Sequence, residues 1–412
     1  MIKEDMKKYC LNCKNKTCQS GCPLENDIPG FIHANNYEEA YKILQKTTVL
    51  SAICGRICPH MKQCQSKCIR AIKGAPVSIG KVEAEIADKA IEEGFEIEKD
   101  ESNELLKSKK VAVIGSGPAG LTCAAFLAKK GMQVTIFERN DRLGGILSHG
   151  IPEFRLPSEI VQDNIEKILS LGIKYKLNIE LGKDITIDDL KKDYDAIFIS
   201  IGANISSPAH IDGEKLRGVL GANELLENNK YPDFHGKRVA VLGGGNVAMD
   251  SARTVARLGA AEVEIIYRRS ENEMPAEKNE IEAAKQEGIK FCFQTNIIKI
   301  LGKDLVEKME CIHTKLVQKE GEKRLVPVEI EGSNYIENID YILIATGSMP
   351  ENKVIEMFEK NKWGYVKIDE NMETSIKNVF AGGDIAGERA TVAWAARSGR
   401  NAADKIIDSF IK

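Results

Sequence analysis

Long apolar runs are missing from this 412-residue sequence. No stretch approaches the roughly 18 consecutive apolar residues of a membrane-spanning helix, and the opening MIKEDMKKYC lacks the apolar segment of a secretory signal. An excess of positive charge is also missing, since 58 Lys and Arg residues face 61 Asp and Glu residues, for a net charge of -3. Nucleic-acid-binding domains usually carry such an excess. We therefore expect a cytoplasmic protein that binds neither a membrane nor nucleic acid.

Cysteine is rare outside the N-terminal segment. Eight of the 11 cysteines lie between Cys10 and Cys68, and only Cys123, Cys292 and Cys311 follow. In a reducing compartment such a concentration indicates a metal site and not disulfides. The three later cysteines are isolated and form no Cys-x-x-Cys pair, which disfavours a dithiol relay and indicates core positions.

Two stretches alternate strand and helix in the way a dinucleotide-binding domain does. The first begins with VAVIG at Val111 and reaches VTIFE, which ends at Glu138. About 130 residues later the pattern repeats, from VAVLG at Val239 to VEIIYRR. A third zone from Tyr341, with YILIATG and VFAGGD, is too short for another complete unit. We expect this zone to return to the first domain and complete it.

The first glycine-rich loop is GSGPAG at residues 115–120. It follows a strand and opens a helix, so its glycines allow a tight turn, a close approach to pyrophosphate and packing of helix on strand. Glu138 lies 23 residues after Gly115, at the end of the next strand. A carboxylate at this position binds a ribose hydroxyl.

The second loop is GGGNVA at residues 243–248, and here the strand that follows ends in Arg268 and Arg269. A guanidinium group binds phosphate through paired hydrogen bonds, whereas a carboxylate repels it. The second loop therefore predicts NADPH, and NADH remains open because an Arg near the site does not prove a contact with the 2'-phosphate.

With these motifs the chain resembles the small subunit of NADPH-dependent glutamate synthase. It also resembles the N-terminal part of dihydropyrimidine dehydrogenase and the NADPH-binding subunit of bifurcating transhydrogenases. Further matching motifs are LGGILSHGIPEFRLP from Leu143, YRRSENEMPA from Tyr267, ATGSMPE from Ala345, AGGDIAG from Ala381 and TVAWAARSGRNAA from Thr391. The resemblance implies an FAD-dependent NAD(P)H oxidoreductase with two [4Fe-4S] clusters, which passes electrons from NADPH through FAD to a partner.

The expected fold is α/β, with two Rossmann-like dinucleotide-binding domains and an N-terminal α-helical iron-sulfur domain. The NAD(P)H domain is inserted in the FAD domain. The expected bounds are 1–107 for the iron-sulfur domain, 108–235 and 340–412 for the FAD domain, and 236–339 for the NAD(P)H domain.

The matching motifs also imply which residues contact the nucleotide cofactors. These are Gly115, Gly117, Pro118, Ala119, Gly120, Glu138, Arg139, Gly144, Gly145, Ile146, Arg155, Gly202, Gly243, Gly244, Gly245, Asn246, Val247, Arg268, Arg269, Thr346, Gly347, Gly383, Asp384, Thr391 and Val392. Thr391 fits a plain helix N-cap as well as a flavin contact. No catalytic acid or base is expected, because the flavin performs the hydride chemistry.

The N-terminal cysteines form two groups with short spacings. They are Cys10-x2-Cys13-x4-Cys18-x3-Cys22 and Cys54-x3-Cys58-x5-Cys64-x3-Cys68. The relatives imply a crossed arrangement of ligands. One cluster takes Cys10, Cys13, Cys18 and Cys68, and the other takes Cys22, Cys58, Cys64 and Glu83. Cys54 is the alternative to Glu83 as eighth ligand, and zinc is the competing metal.

The terminal reaction is expected on another chain, because no amidotransferase nucleophile and no substrate domain is visible in the sequence. We expect a larger catalytic subunit, with FMN as its candidate cofactor, or a ferredoxin-like acceptor to dock against the cysteine segment. A glutamate synthase small subunit is favoured. The dihydropyrimidine dehydrogenase type and the transhydrogenase type remain open. From another class, a non-catalytic nucleotide-binding subunit with structural metal also remains.

Overall fold

The computed structural model describes residues 4–228, 230–322, 324–387 and 390–411. The chain divides into two compact units, each of which is described by itself. The first unit comprises residues 1–203 and 350–412, and the second comprises residues 204–349. The chain therefore leaves the first unit once and later returns to it, as expected for one domain inserted in another.

The N-terminal segment of the first unit is helical, as its composition predicts. Its helices are α1 (Glu4–Tyr9), α2 (Thr17–Gly21), α3 (Ile28–His33), α4 (Tyr37–Leu44), α5 (Ser51–Ile57) and α6 (Ile79–Glu92). Three 3-10 turns lie between α5 and α6, at His60–Lys62, Gln65–Lys67 and Ile69–Ile72. Asn36 caps α4 by accepting a hydrogen bond from the backbone amide of Glu39 at 2.8 Å. Short helices joined by turns place seven of the eight N-terminal cysteines on loops or near helix ends, whereas Cys54 lies within α5.

The first parallel sheet begins after this segment. Its elements are α7 (Glu104–Lys107), β1 (Lys110–Ile114), α8 (Pro118–Lys129), β2 (Gln133–Phe137), α9 (Ile146–His149), α10 (Ser158–Leu169), β3 (Lys174–Lys176), α11 (Ile187–Asp193) and β4 (Ala196–Ile199). Four of the five residues of β1 are buried. A continuous apolar strand of this kind is typical of a parallel sheet that helices cover on both faces.

The second unit repeats this plan and adds antiparallel strands. Its elements are β5 (Ile205–Ser206), β6 (Val219–Gly221), α12 (Ala222–Asn228), β7 (Arg238–Leu242), α13 (Asn246–Arg257), β8 (Glu262–Tyr267), α14 (Lys278–Gln286), β9 (Lys290–Phe293), β10 (Thr295–Leu301), β11 (Lys308–Val317), β12 (Val326–Glu329), β13 (Tyr335–Asn338), β14 (Tyr341–Ile344) and β15 (Ser348–Met349). The parallel sheet has the order β6-β14-β7-β8-β9, and β10 to β13 form an antiparallel sheet. β5 and β15 pair antiparallel where the chain enters and leaves the unit.

The returning chain completes the first unit with α15 (Asn352–Ile355), β16 (Val379–Ala381) and α16 (Val392–Ile411). The first sheet then has the order β16-β4-β1-β2-β3, with every pair parallel. Within the described residues, no helix is both long enough and apolar enough to cross a membrane.

The second unit, at residues 204–349, contains more of the chain than residues 236–339, the range predicted for the NAD(P)H domain from the sequence. The strand YILI, expected in the first domain, is β14 and pairs with β6 and β7 in the second sheet. Its apolar run suits the core of either sheet, so hydrophobic pattern alone does not decide between them. Only the part of the third zone from Pro350 onward belongs to the first unit.

Candidate cofactor sites

The first glycine-rich loop has the geometry that a bound pyrophosphate requires. Gly115 has φ +94°, and a Cβ there would lie 2.7 Å from the carbonyl oxygen of Ser200. A Cβ on Gly120 would lie 2.0 Å from the carbonyl oxygen of Gly115, so α8 packs directly on the turn. A Cβ on Gly117 would meet nothing within 4 Å. The backbone at Gly117 therefore faces open space at the N-terminus of α8, where a dinucleotide phosphate fits.

Glu138 is fixed beside this loop. Its side chain is 4% exposed and accepts hydrogen bonds from the Ser116 amide at 3.0 Å and from the Asn140 amide at 2.9 Å. The Ser116 hydroxyl also donates to Glu138 and accepts from the Gly144 amide at 2.9 Å. Ser116 thus links the loop, the carboxylate and the 144–145 segment. The sequence reasoning missed Ser116, because it occupies a variable position of the motif.

The segment after β16 reaches the same loop. Gly383 has φ +75°, and its amide donates to the Ser398 hydroxyl at 2.9 Å. A Cβ on Gly399 would lie 2.1 Å from the carbonyl oxygen of Ala119, so α16 and α8 are in backbone contact. A Cβ on Gly383 would lie 3.0 Å from the Cβ of Ala119, so the 3-10 turn Gly383–Ala386, which contains Asp384, lies against the first loop, as does α16 at Gly399.

Thr391 is an N-cap of α16, because its hydroxyl accepts a hydrogen bond from the Trp394 amide at 3.4 Å. Val392 begins the helix. Gly145 lies against the first loop too, since a Cβ there would be 2.8 Å from the Cα of Gly117. Ile146 begins α9 and is largely exposed.

Three other residues of the predicted set lie at separate places in the first unit. Arg139 forms an ion pair with Glu351 at 3.7 Å. Arg155 lies between α9 and α10, where its amide donates to the carbonyl oxygen of Pro152 at 2.9 Å. Gly202 follows β4 with φ +75°.

The second glycine-rich loop has the same design as the first. Gly243 has φ +146°, and a Cβ there would lie 2.2 Å from the carbonyl oxygen of Ala345. A Cβ on Gly244 would lie 2.6 Å from the ring of Tyr267, whereas Gly245 faces open space. Asn246 and Val247 begin α13. A second dinucleotide phosphate therefore fits at the N-terminus of α13.

Arg268 and Arg269 follow β8, at the carboxyl edge of the second sheet. Their carbonyl oxygens accept hydrogen bonds from the Thr314 hydroxyl at 2.9 Å and the Gln294 amide at 3.0 Å. The Arg268 side chain is exposed. The Nε of Arg269 is buried and has no acceptor among the described residues. A buried guanidinium nitrogen without an acceptor suits a phosphate ligand.

Thr346 and Gly347 follow β14 in the second unit. The Thr346 hydroxyl donates to the carbonyl oxygen of Ser207 at 3.0 Å. Gly347 has φ +149°, and its carbonyl oxygen accepts from the Ser207 amide at 2.9 Å. These contacts tie the exit of β14 to the strand pair β5 and β15.

Four of the N-terminal cysteines, which we call the outer group, line one cavity. They are Cys10, Cys13, Cys18 and Cys68. All four are partly exposed. Burial raises the pKa of the Cys18 thiol to about 11, and the neighbouring Cys10 and Cys68 contribute.

A second set, the inner group, lies deeper. It consists of Cys22, Cys58, Cys64 and Glu83, with Cys54 beside it. Burial raises the pKa of Cys22 to about 12, with further contributions from Glu83 and Cys58. Burial likewise raises the pKa of Cys64, which has Cys22, Glu83 and Cys58 as neighbours. The structure thus brings together cysteines from both sequence groups.

Glu83 is a buried carboxyl group among these thiols. It is 5% exposed, and burial raises its pKa to about 8. A hydrogen bond from the Asn26 side chain at 3.3 Å lowers the pKa but does not offset the effect of burial. The Asn26 backbone also lies beside Cys22, where it lowers the pKa of the thiol. No sequence signal pointed to Asn26, since an isolated Asn four residues after a Cys is unremarkable.

The chemistry of the inner group fits a cationic metal centre. Charged acidic groups are expensive to bury unless a cation compensates them. Within the described ranges, no three His, Cys, Asp or Glu side chains converge on the position of a single metal ion. In a [4Fe-4S] cluster the four ligands bind four separate iron atoms.

Cys54 lies next to the inner group. A hydrogen bond from Cys58 lowers the pKa of the Cys54 thiol, but burial and the neighbouring Glu83, Cys22 and Cys64 together outweigh it, so the pKa is raised overall. Both candidates for the eighth ligand, Glu83 and Cys54, are therefore within the same buried site. Of the three later cysteines, Cys123 and Cys311 are fully buried, and the partly exposed Cys292 donates to Glu264 at 3.2 Å.

Helix α16 links the inner group to the first dinucleotide loop. The backbone of Ala393, in its first turn, lies beside Cys58 and lowers the pKa of that thiol, which burial otherwise raises. Farther along the helix, Arg400 donates to the carbonyl oxygens of Leu24 at 2.9 Å and Thr47 at 2.8 Å. Helix α16 therefore contacts both sites.

The chain has two glycine-rich loops on separate parallel sheets, and a helical segment with two thiol groups precedes them. These features define a flavin-dependent pyridine nucleotide oxidoreductase with an iron-sulfur domain. The profile of the family described as "Pyridine nucleotide-disulphide oxidoreductase" matches residues 109–399. The profile described as "Dihydropyrimidine dehydrogenase domain II, 4Fe-4S cluster" matches residues 3–95. The chain belongs to the pyridine nucleotide-disulphide oxidoreductase family, in the branch that includes the glutamate synthase small chains.

Curated relatives are similar along nearly the whole chain. The glutamate synthase [NADPH] small chain of Escherichia coli K12 is 35% identical, over 97% of this chain and 89% of its own length. The NADP(+)-dependent formate dehydrogenase subunit beta of Moorella thermoacetica is 36% identical, over 96% of this chain and 60% of its own length.

A solved structure shows the same fold. FprA from Mycobacterium tuberculosis, in complex with NADPH, superposes with a TM-score of 0.65 at 20% identity, over 73% of this chain and 84% of its own length. The predicted fold class is confirmed: two α/β dinucleotide-binding domains with an N-terminal iron-sulfur domain. The chain is an FAD-dependent NADPH oxidoreductase, as the sequence predicted.

Proposed function

We propose that this chain is the electron-input subunit of a larger enzyme, most closely of the glutamate synthase type. When bound, FAD accepts hydride from NADPH as an electron pair, and two [4Fe-4S] clusters carry the electrons singly to a partner subunit. The observation that supports this proposal is the presence of two thiol groups, one against α16 of the flavin-binding unit and one near the surface.

The first unit holds FAD in this proposal. The loop at 115–120 and the N-terminus of α8 bind its pyrophosphate, and Glu138 binds a ribose hydroxyl. The turn that contains Asp384 and the N-terminus of α16 face the rest of the cofactor, where the positive end of the helix stabilises negative charge. The remaining residues of the predicted set, Arg139 and Arg155 among them, stay predictions.

The second unit holds NADPH. Its pyrophosphate binds at the loop 243–248, and Arg269 binds the 2'-phosphate through the buried Nε that has no acceptor among the described residues. Arg268 is exposed and assists from the neighbouring position. This arrangement favours NADPH over NADH.

The two clusters take the crossed ligand set, with the outer group holding one and the inner group the other. For the eighth ligand we propose Glu83, because its buried carboxylate lies next to Cys22, Cys58 and Cys64 and receives the Asn26 hydrogen bond. Cys54 is then a neighbour that hydrogen-bonds Cys58.

The order of transfer follows from where the two groups lie. Cys22 and Cys58 pack against the core that contains α8 and α16, and Ala393 contacts Cys58. Cys10, Cys18 and Cys68 pack against the core of the helical segment. Electrons therefore reach the inner group first and leave from the outer group.

The partner is a larger catalytic subunit. The relatives named above are a small chain and a subunit beta, names that imply other subunits. If the purified chain alone turns over a physiological substrate, as well as artificial dyes, the need for a partner is disproved.

Anaerobic purification tests the cofactor content. We expect about eight iron atoms and as many acid-labile sulfides per chain, and NADPH should bleach both the flavin and the brown cluster absorbance. A yellow protein that contains zinc and no sulfide would overturn the proposal in favour of a structural metal site.

The nicotinamide specificity has a separate test. Arg269→Ala should raise the KM for NADPH by about tenfold or more while leaving the KM for NADH unchanged, because only NADPH carries the 2'-phosphate. Arg257→Ala, at the other end of α13, is the matched control. Equal effects on both nucleotides would show that Arg269 does not bind the phosphate.

A further inference from the structure

Four large apolar side chains are exposed beside the cavity of the outer group. They are Tyr9, Leu11, Ile69 and Ile72, which we call the exit patch. Leu11 is 50% exposed and Ile72 is 76% exposed. Leu11 and Ile69 also line the cavity that the four outer cysteines share. Leu11 and Ile69 are therefore both exposed at the exit patch and in contact with the cavity of the outer group.

Specific contacts hold the exit patch in shape. The Nε of Arg70 donates to the carbonyl oxygen of Tyr9 at 2.8 Å, and its guanidinium lies 4.7 Å from the centre of the Tyr9 ring. The Tyr9 hydroxyl donates to the carbonyl oxygen of Ala75 at 2.6 Å. The N-terminal segment and the 3-10 turn Ile69–Ile72 thus form one surface, although more than 50 residues of chain separate them.

The sequence around the patch contains no acidic residue over a long stretch. Between Glu39 and Glu83 there is no Asp or Glu, but there are eight Lys and Arg residues. Lys67 and Lys73, on either side of the 3-10 turn, are exposed, as is Lys14 in the first cysteine loop. A chain with a net charge of -3 therefore has a cationic rim at this place.

We propose that the exit patch is the docking surface for the electron-accepting protein, and that the face of this partner is apolar at its centre and acidic at its rim. The inference rests on the proposed function and adds the surface and the chemistry of the partner. Protein interfaces commonly pair an apolar centre with a polar rim. Opposite charges on the two rims accelerate association and make it sensitive to salt.

The test uses the holoprotein and a small acidic ferredoxin as the probe acceptor. The variant Lys14→Glu/Lys67→Glu/Lys73→Glu should lower kcat/KM for the ferredoxin by about tenfold or more at low salt, with the difference shrinking as ionic strength rises. A basic cytochrome c should change in the opposite direction. The control is Lys303→Glu/Lys308→Glu/Lys315→Glu, three exposed lysines of the second unit with the same change of charge.

The apolar centre has its own test. Ile72→Ser should lower kcat/KM for the ferredoxin several-fold while leaving the thermal stability unchanged, since the side chain is 76% exposed. Iron content and reduction of a small uncharged quinone should be unaffected in every variant. Equal ferredoxin kinetics in patch and control variants would overturn the docking inference. The docking inference would also be overturned if the charge-reversed patch variant kept the ferredoxin kinetics of the native chain but lost binding to DNA or to anionic vesicles.

Failure of the proposed function gives a different result. In that case the unmodified chain would contain no clusters, or NADPH would fail to bleach them. If NADPH bleaches the clusters and the quinone is reduced, but the patch variants match the control, only the docking surface is disproved.

Discussion

The two cysteine groups use the same side chain in different surroundings. The outer group lies in a cavity at the surface, lined by Leu11 and Ile69. The inner group includes the buried Cys64 and Glu83, and its Cys58 lies beside the first turn of α16. Each spatial group takes cysteines from both sequence groups, so the difference between them comes from what the fold packs around each. In the proposed function, the inner group receives electrons and the outer group releases them.

The largest expected effect is loss of the inner group. Cys64→Ser removes a buried thiol that we propose as a cluster ligand, and we expect reduction of a protein acceptor to fall by about 100-fold or more, with flavin reduction by NADPH preserved. Stopped-flow absorbance separates the two steps. Cys311→Ser, which changes another fully buried thiol, is the control. If Cys64→Ser leaves acceptor reduction intact, electrons do not pass through the inner group.

Loss of the outer group should have a smaller and more selective effect. Cys13→Ser should halve the iron content and slow the reduction of the protein acceptor by about 30-fold. NADPH should still bleach the remaining cluster. Iron analysis and an anaerobic NADPH titration measure this. Bleaching that disappears entirely in Cys13→Ser would reverse the proposed order of the two groups.

The identity of the eighth ligand also distinguishes the two groups, because only the inner group has a carboxylate, that of Glu83. Glu83→Ala should lower iron content and leave the outer cluster in place, whereas Cys54→Ser should keep the iron of the native protein. Iron and sulfide analysis of the two variants side by side decides between them. The opposite pattern would make Cys54 the ligand.

The smallest expected effect concerns Asn26, which is 1% exposed and contacts Cys22 and Glu83. Asn26→Ala removes a hydrogen bond to a charged group, so the equilibrium between NADPH and the inner cluster should shift toward the oxidised cluster by about tenfold. A spectroscopic redox titration measures it. Asn36→Ala, which removes the cap of α4, should change stability but not this equilibrium. Equal redox behaviour of the two variants would make Asn26 merely structural.

The dinucleotide loops and Glu138 were open to prediction because their function dictates local backbone geometry. Gly115, Gly120 and Gly243 stand where a Cβ would collide with neighbouring atoms. The fold class follows from the same signals, since each loop joins a strand to a helix.

Other features depend on contacts between distant parts of the chain. The neighbour of Cys58 on α16 is the backbone of Ala393, which carries no side-chain signal. Asn26 approaches Glu83 only because α6 folds back on the segment after α2. The assignment of YILI to the wrong domain has a similar cause, since a buried strand pairs according to the whole sheet and its own pattern suits both.

The central claim is that electrons reach the inner cluster before the outer one, and the most direct test is rapid-freeze EPR after anaerobic mixing with NADPH. The variant Cys13→Ser, which lacks the outer cluster, assigns the signals to the two clusters. The account predicts that the signal retained in Cys13→Ser, from the inner cluster, appears before the outer signal in the native chain. An outer signal that rises first, or at the full rate when the inner cluster is absent, would contradict it.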